Sequence, residues 1–140
     1  MPRSTQNLKK LIFDTLVADS TLQTLLGGSG KIKHSTPLQL AEYPCVVYGI
    51  IGETDTPYDE DRSAAIARTR LSIQVFSTSD SSSQSDQIED RVYAILHGKQ
   101  LSSATVIAYS LYRVSRNPVY EPEFKVWRIE ARYDLVSVGK

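Results

Sequence analysis

The C-terminal segment "VYEPEFKVWRIEARYDLVSVGK" alternates with a period of two. From Phe124 onward, Trp127, Ile129, Ala131, Tyr133 and Leu135 fall on one parity, and Arg128, Glu130, Arg132 and Asp134 on the other. Successive side chains of a β-strand point to opposite faces, so this pattern predicts a strand with one dry face and one charged face. The dry face must cover a core. The charged face is either wet or met by a partner, and that choice bears on what the chain can do.

A second alternation runs through "IARTRLSIQVF" (66–76), with Leu71, Ile73 and Val75 on one side and Arg68, Arg70, Ser72 and Gln74 on the other. "CVVYGIIGE" (45–53) is β-branched, aromatic and nearly continuous, as in a largely buried strand. "TVIAYSLYRVSR" (105–116) predicts another strand. "NPVYEP" (117–122) holds two prolines, which cannot donate ladder hydrogen bonds, and predicts a turn.

Helical spacing appears in two places. Ser4 is a candidate N-cap before the stripe Leu8, Leu11, Ile12 and Leu16. Ser20 followed by Gln23 has the form of a capping box opening a short helix through Leu22, Leu25 and Leu26, which "GGSG" (27–30) stops. This region is one long helix or two with a bend near Asp19. Asp86 and Glu89 predict a second capping box, before the stripe Ile88, Val92, Ile95 and Leu96, with Gly98 as its cap at the other end. "KIKHSTPLQLAEYP" (31–44) is a connector with a short edge strand at 31–33. The polar stretch 54–65 is a loop, and the serine-rich stretch 77–86 a loop with a cap rather than a domain boundary.

The order is helix, strand, strand, helix, strand, strand. It predicts an α+β fold: an antiparallel or mixed sheet of about four strands, with two amphipathic helices packed on one face. The 140 residues form one domain, with 41% hydrophobic and 23% charged residues, able to bury a core without disulfides or metal. Sixteen basic and sixteen acidic residues cancel, which argues against a general binder of nucleic acid or anionic membrane. Cys45 is the only cysteine, so no intrachain disulfide can form. No apolar run approaches the ~20 residues of a membrane span. "MPRSTQNLKK" lacks the apolar centre of a secretory signal. Use in a cytoplasm, or assembly there into something larger, is the expectation.

Residues that carry catalysis are scarce. His34 and His97 have no histidine or cysteine neighbour at metal-ligand spacing. His97 stands in a last helical turn, where a cation suits the helix dipole. Cys45 opens a buried strand, where cysteine acts as a small apolar residue, and no base is at hand to activate it. Glu53, Asp55, Asp59, Glu60 and Asp61 do not follow the spacing of a calcium loop. "GGSG" lacks the lysine and hydroxyl residue of a phosphate loop and follows a helix rather than a strand. No catalytic residue, cofactor or metal is expected. The remaining feature is the polar sheet face with Arg68, Arg70, Arg128, Glu130 and Arg132. It is either a solvated face stitched by cross-strand ion pairs or a subunit contact, where arginine is enriched.

Several segments carry a resemblance. An amphipathic helix ends in "TLLGG". Pro44 leads into "PCVVYGIIGE", followed by "RTRLSIQVFS", the helix "QIEDRVYAILHG" and "VYEPEFKVWRIEARYDLVS". In this order the chain resembles the tail completion, or tail terminator, family of long-tailed bacteriophages. In that family a "Y-P-x-V-x-Y" strand, an "R-x-R-x-x-I-x-V-[FW]" strand and a late "Y-E-P-E" segment recur. The resemblance covers nearly the whole chain, while the stretch 54–65 is richer in acid than the family pattern.

The resemblance implies a structural virion protein, assembled in the host cytoplasm. It implies a homo-oligomeric ring, usually a hexamer, at the head-proximal end of the tail tube. There it terminates tube polymerisation and joins the tail to the head or neck. Implied partners are further copies of the chain, the tail tube protein and a neck or head-closure protein. DNA passes the lumen without specific binding, and no membrane is involved. Candidate contacts are Arg68, Arg70, Arg128, Glu130 and Arg132, with Asp59, Glu60 and Asp61 in the acidic loop. The alternatives are another neck component, such as a head-closure or stopper protein, and a small hydrolase or nucleotide-handling enzyme using Cys45 or His34.

Overall fold

The computed structural model describes residues 5–34, 44–55, 66–78, 82–123 and 125–139. Helices α1 (Thr5–Val17) and α2 (Ser20–Leu26) lead through a 3-10 turn (Ser29–Lys31) into strand β1 (Ile32–His34). Strands β2 (Cys45–Asp55) and β3 (Ile66–Ser77), helix α3 (Ser83–Leu96), and strands β4 (Leu101–Ser102), β5 (Val106–Glu121) and β6 (Val126–Gly139) follow. They form one sheet in the order β1-β2-β3-β6-β5-β4. β1 pairs with β2 in parallel, and all other pairs are antiparallel.

The sheet is thus mixed, with six strands where about four were expected, and the helices number three rather than two. The four long strands are those read from the sequence. The additions sit at the two margins: β1 has three residues, one position along from the expected edge strand, and β4 has two. Two residues are too few to show a period.

The register explains the parity. Leu71 faces Tyr133, Ile73 faces Ala131 and Val75 faces Ile129 across β3 and β6. These rows are buried and form one core with Leu8, Ile12 and Leu16 of α1, Leu22 and Leu26 of α2, and Ile88, Val92 and Leu96 of α3. All three helices therefore cover the same sheet face.

Between the first two helices the chain breaks at Ala18 and Asp19. Asp19, not Ser20, is the N-cap of α2, its carboxylate accepting the Leu22 amide at 2.8 Å. Both residue types cap well, and the extended backbone at Asp19 selects it. The Gln23 amide donates to the Val17 carbonyl at 3.0 Å instead of closing a capping box. Arg91 of α3 also grips Asp19, with Nε 3.0 Å from Oδ1. That guanidinium, opposed in part by burial, holds the Asp19 carboxyl below its ordinary pKa. Asp86 and Glu89 do not cap α3, which starts at Ser83, so both lie inside the helix. Gly98, at φ +74, takes the left-handed geometry after the helix end. The candidate cap Ser4 lies outside the described residues.

"NPVYEP" is strand rather than turn. β5 runs to Glu121, and Pro118 faces Ile129 of β6. β4 pairs only with Ile107 and Ala108, so the far side of β5 is a sheet edge beyond them, where proline is tolerated. The expected loop 54–65 is shortened in the same way, since β2 continues to Asp55.

Trp127 lies on the dry parity yet is only half-buried, with its ring 4.9 Å from that of Tyr120. Its pairing with Ser77 is the last of the β3–β6 ladder, so it closes the end of the core rather than filling it. Trp127→Ala is therefore expected to cost about 1.5–2.5 kcal/mol, roughly half the loss of a fully buried tryptophan. Glu130→Ala is expected to cost less than ~1 kcal/mol. Chemical denaturation of the two variants measures both, and equal losses would contradict the assignment of faces.

Candidate interaction surface

The helix-free face of the sheet collects the charged parity of β3 and β6. Arg70 Nε lies 3.2 Å from Asp134 Oδ1, its register partner. Glu130 stands between two arginines of its own strand, 3.0 Å from Arg132 Nη2 and 3.9 Å from Arg128 Nη1. Arg128 Nε also approaches Glu121 Oε1 at 3.1 Å. These pairs lie within one chain, and each partly exposed pair contributes about 0.2–1 kcal/mol.

Arg68 differs from the others. It faces Thr54 on one side and Val136 on the other, and no described carboxylate forms an ion pair with it. It borders an open groove of about 660 Å³ that crosses the sheet, with Ile51, Arg70, Tyr112, Asp134 and Val136 among the lining residues. The structure thus brings the five strand candidates to one face and pairs four of them internally. Asp59, Glu60 and Asp61 lie outside the described residues.

Two features escaped the sequence. Ile51, Tyr112, Val114, Val119 and Tyr120 are 50%, 49%, 50%, 40% and 42% exposed, large apolar side chains in the open. Three of them sit at or beside irregularities in the ladders, between Ile50 and Gly52, Tyr109 and Tyr112, and Arg113 and Ser115. Each bulge turns the following residues to the other face, so simple alternation misplaces them.

The second is a buried charge cluster joining α3 to β5. Glu89 is fully buried. Arg113 Nη1 donates to its two oxygens at 3.0 and 2.9 Å, and Arg116 Nε donates at 3.2 Å. Arg116 also bonds Asp86. The Arg113 guanidinium lies 4.3 Å over the Tyr93 ring. The backbone amide of Arg113 donates to His97 Nδ1 at 3.1 Å, and the His97 ring stacks on Tyr93 at 4.3 Å. His97 therefore holds the end of α3 to β5 through Nδ1, as the acceptor of a backbone hydrogen bond. Burial first, and then the charge of Glu89, push the Tyr133 phenol well above its usual pKa. A sequence signal existed: Glu89 falls on the buried stripe of Ser85, Val92 and Leu96.

Among the described residues no group of side chains has the form of a reaction centre. Cys45 is buried, and the His34 ring lies against Tyr48 at 5.3 Å. Among the described residues no three metal-ligating side chains cluster. No helix among them is long and apolar enough to cross a membrane. The helices cover one sheet face and leave the other, with its paired charges, as an exposed surface, and large apolar side chains of β2 and β5 are also exposed.

The family model for the tail completion protein gp17 matches residues 10–137, and the chain belongs to that family. It is a structural tail protein rather than an enzyme. No curated protein matches the sequence at a significant level. Among solved structures, a chain from a virion of a native gene transfer agent particle is similar in fold, with a TM-score of 0.72 and 18% identity. The match covers 95% of each chain.

Proposed function

We propose that the protein forms a ring on the head-proximal end of the tail tube, where it ends tube growth and joins the tail to the neck. The family match over residues 10–137 carries this reading. The similar fold in a virion particle supports a place in the assembled particle. The partners are further copies of the chain, the tube protein and a head-closure protein, with assembly in the host cytoplasm. A net charge of +0 suits a subunit whose lumen lets DNA slide past without binding it.

Closed rings need a heterologous interface, in which each patch meets a different patch on the neighbour. Arg68 is the candidate cation for such a contact, because no described carboxylate forms an ion pair with it. The purified protein is expected to form rings, six-fold by preference, seen by electron microscopy and by light scattering against concentration. Arg68→Glu is expected to raise the concentration needed for assembly while leaving unfolding unchanged. A wild-type chain that stays monomeric at every concentration would reject the ring.

A further inference from the structure

We propose that buried Glu89 is a register lock. It holds the middle of β5 in a doubly bulged pairing with β6, and so keeps on the surface Tyr112 and Val114, which a regular ladder would turn inward.

The pairing itself shows the device. Tyr109 faces Val136 and Tyr112 faces Asp134, so three steps along β5 match two along β6. Arg113 faces Tyr133 and Ser115 faces Arg132, so two steps match one. Each irregularity inserts one extra residue into β5, and one extra residue exchanges the faces of a strand. The second insertion therefore undoes the first, and only the stretch between them is inverted. There Leu111 is buried, Arg113 reaches Glu89 of α3, and Tyr112 sits on the open face beside Asp134. Before the inversion Val106 and Ala108 are buried, and after it Arg116 again reaches Glu89. A regular ladder would carry that inward set through Ser110, Tyr112 and Val114, and would turn Arg113 outward.

The inversion has costs of its own. Ser110 takes φ +53, a left-handed geometry that residues other than glycine rarely adopt. Tyr112 and Val114 keep half of their surface in water. In return Arg113 comes beneath α3, where Nη1 meets both oxygens of the fully buried Glu89 carboxylate. In the regular ladder that carboxylate would lie against Tyr112 and Val114, short of one of its two arginines. Stranding a buried charge outweighs two bulges. The end of α3 adds two backbone bonds that need the same register. The Gly98 amide donates to the Leu111 carbonyl at 2.6 Å, and the Arg113 amide to His97 Nδ1 at 3.1 Å. Each is an ordinary hydrogen bond, weaker than the penalty on the carboxylate, so Glu89 decides the register.

Glu89→Leu removes the reason for the inversion. Arg113 then gains solvent by turning outward, and Tyr112 and Val114 gain burial against the new leucine, at the cost of exposing Leu111. The rate at which a cysteine reacts with a maleimide reports its face. Tyr112→Cys, Val114→Cys and, as a reference on β2, Ile51→Cys are made in separate chains, with and without Glu89→Leu. Cys45 is fully buried and stays slow in every folded chain. With Glu89→Leu, positions 112 and 114 are expected to react about tenfold more slowly, while position 51 is unchanged. Simple loosening of the fold would move the rates the other way. Rates at 112 and 114 that stay the same or rise in a chain whose Cys45 remains protected would overturn the lock. If Glu89→Leu alone exposes Cys45, the same measurement is made with Glu89→Leu and Arg113→Ser together, which leaves no guanidinium at 113 to strand in either register. Loss of Cys45 protection there too would mean that β5 has no second ordered register, and would also overturn the proposal.

Discussion

Glu89→Ala is expected to destabilise the fold by about 3–5 kcal/mol, against the ~5–15 kcal/mol typical of a whole domain. The carboxylate is fully buried, and its charge is balanced by Arg113 and Arg116. Removing it leaves two guanidiniums facing one another beneath α3, with only Asp86 near one of them. Both guanidiniums keep about a quarter of their surface in water (26% and 29%), so solvent screens part of the repulsion and places the loss toward the lower end of the range. Replacing Glu89, Arg113 and Arg116 together by leucine is expected to recover much of the loss, since apolar packing avoids the desolvation of charge. Urea denaturation of the single and triple variants measures this. A loss below about 1 kcal/mol for Glu89→Ala would mean that the cluster adds little to folding. The consequence reaches beyond stability, because Arg113 and Arg116 belong to the strand that carries Tyr112 and Val114. The cluster fixes the height of β5 against α3.

Parity along β3 and β6 was legible because both strands are long and hold one register over their shared length. The same reading failed where register changes. At Ile50/Gly52 and at the two irregularities of β5, an extra residue turns the pattern over; Gly52 is a residue type that can mark such a place, and the β5 sites hold no glycine. Pro118 misled for a different reason. Its cost depends on whether its missing amide faces a neighbour, which requires the strand order, and β5 proves to have no strand beside it past its pairings with β4 at Ile107 and Ala108. Glu89 was read as a capping residue because charge on a buried stripe looks like its end. Its partners lie 24 and 27 residues away, beyond any local pattern. The outer face was legible as charged, but whether its arginines were spoken for was not. Pairing of Arg70 with Asp134 follows from register, and only that pairing singles out Arg68.

Removal of the protein from a producing phage is expected to leave full heads without tails, together with loose tubes longer than normal. A terminator must hold the growing end of the tube better than the next tube subunit does. Its opposite surface must refuse that subunit and accept the neck instead. If the strands run from rim to rim of the ring, the two surfaces come from opposite ends of the sheet. One end carries the β5–β6 turn after Glu121. At the other, β2 ends at Asp55 and β3 begins at Ile66, and the acids Asp59, Glu60 and Asp61 belong to the connection between them. The two jobs should then separate. Substitutions at one end are expected to leave tails of normal length unjoined to heads, and substitutions at the other to give tails that overrun. Neutralising Asp59, Glu60 and Asp61 to their amides, against replacing Glu121 and Glu123, probes the two rims, and electron microscopy of lysates measures tail length and joining together. Normal lengths with intact joining in the deletion would reject termination. Normal lengths with heads unjoined would place the protein on the head side of the neck, where a ring still forms a passage for DNA but no longer decides where the tube stops.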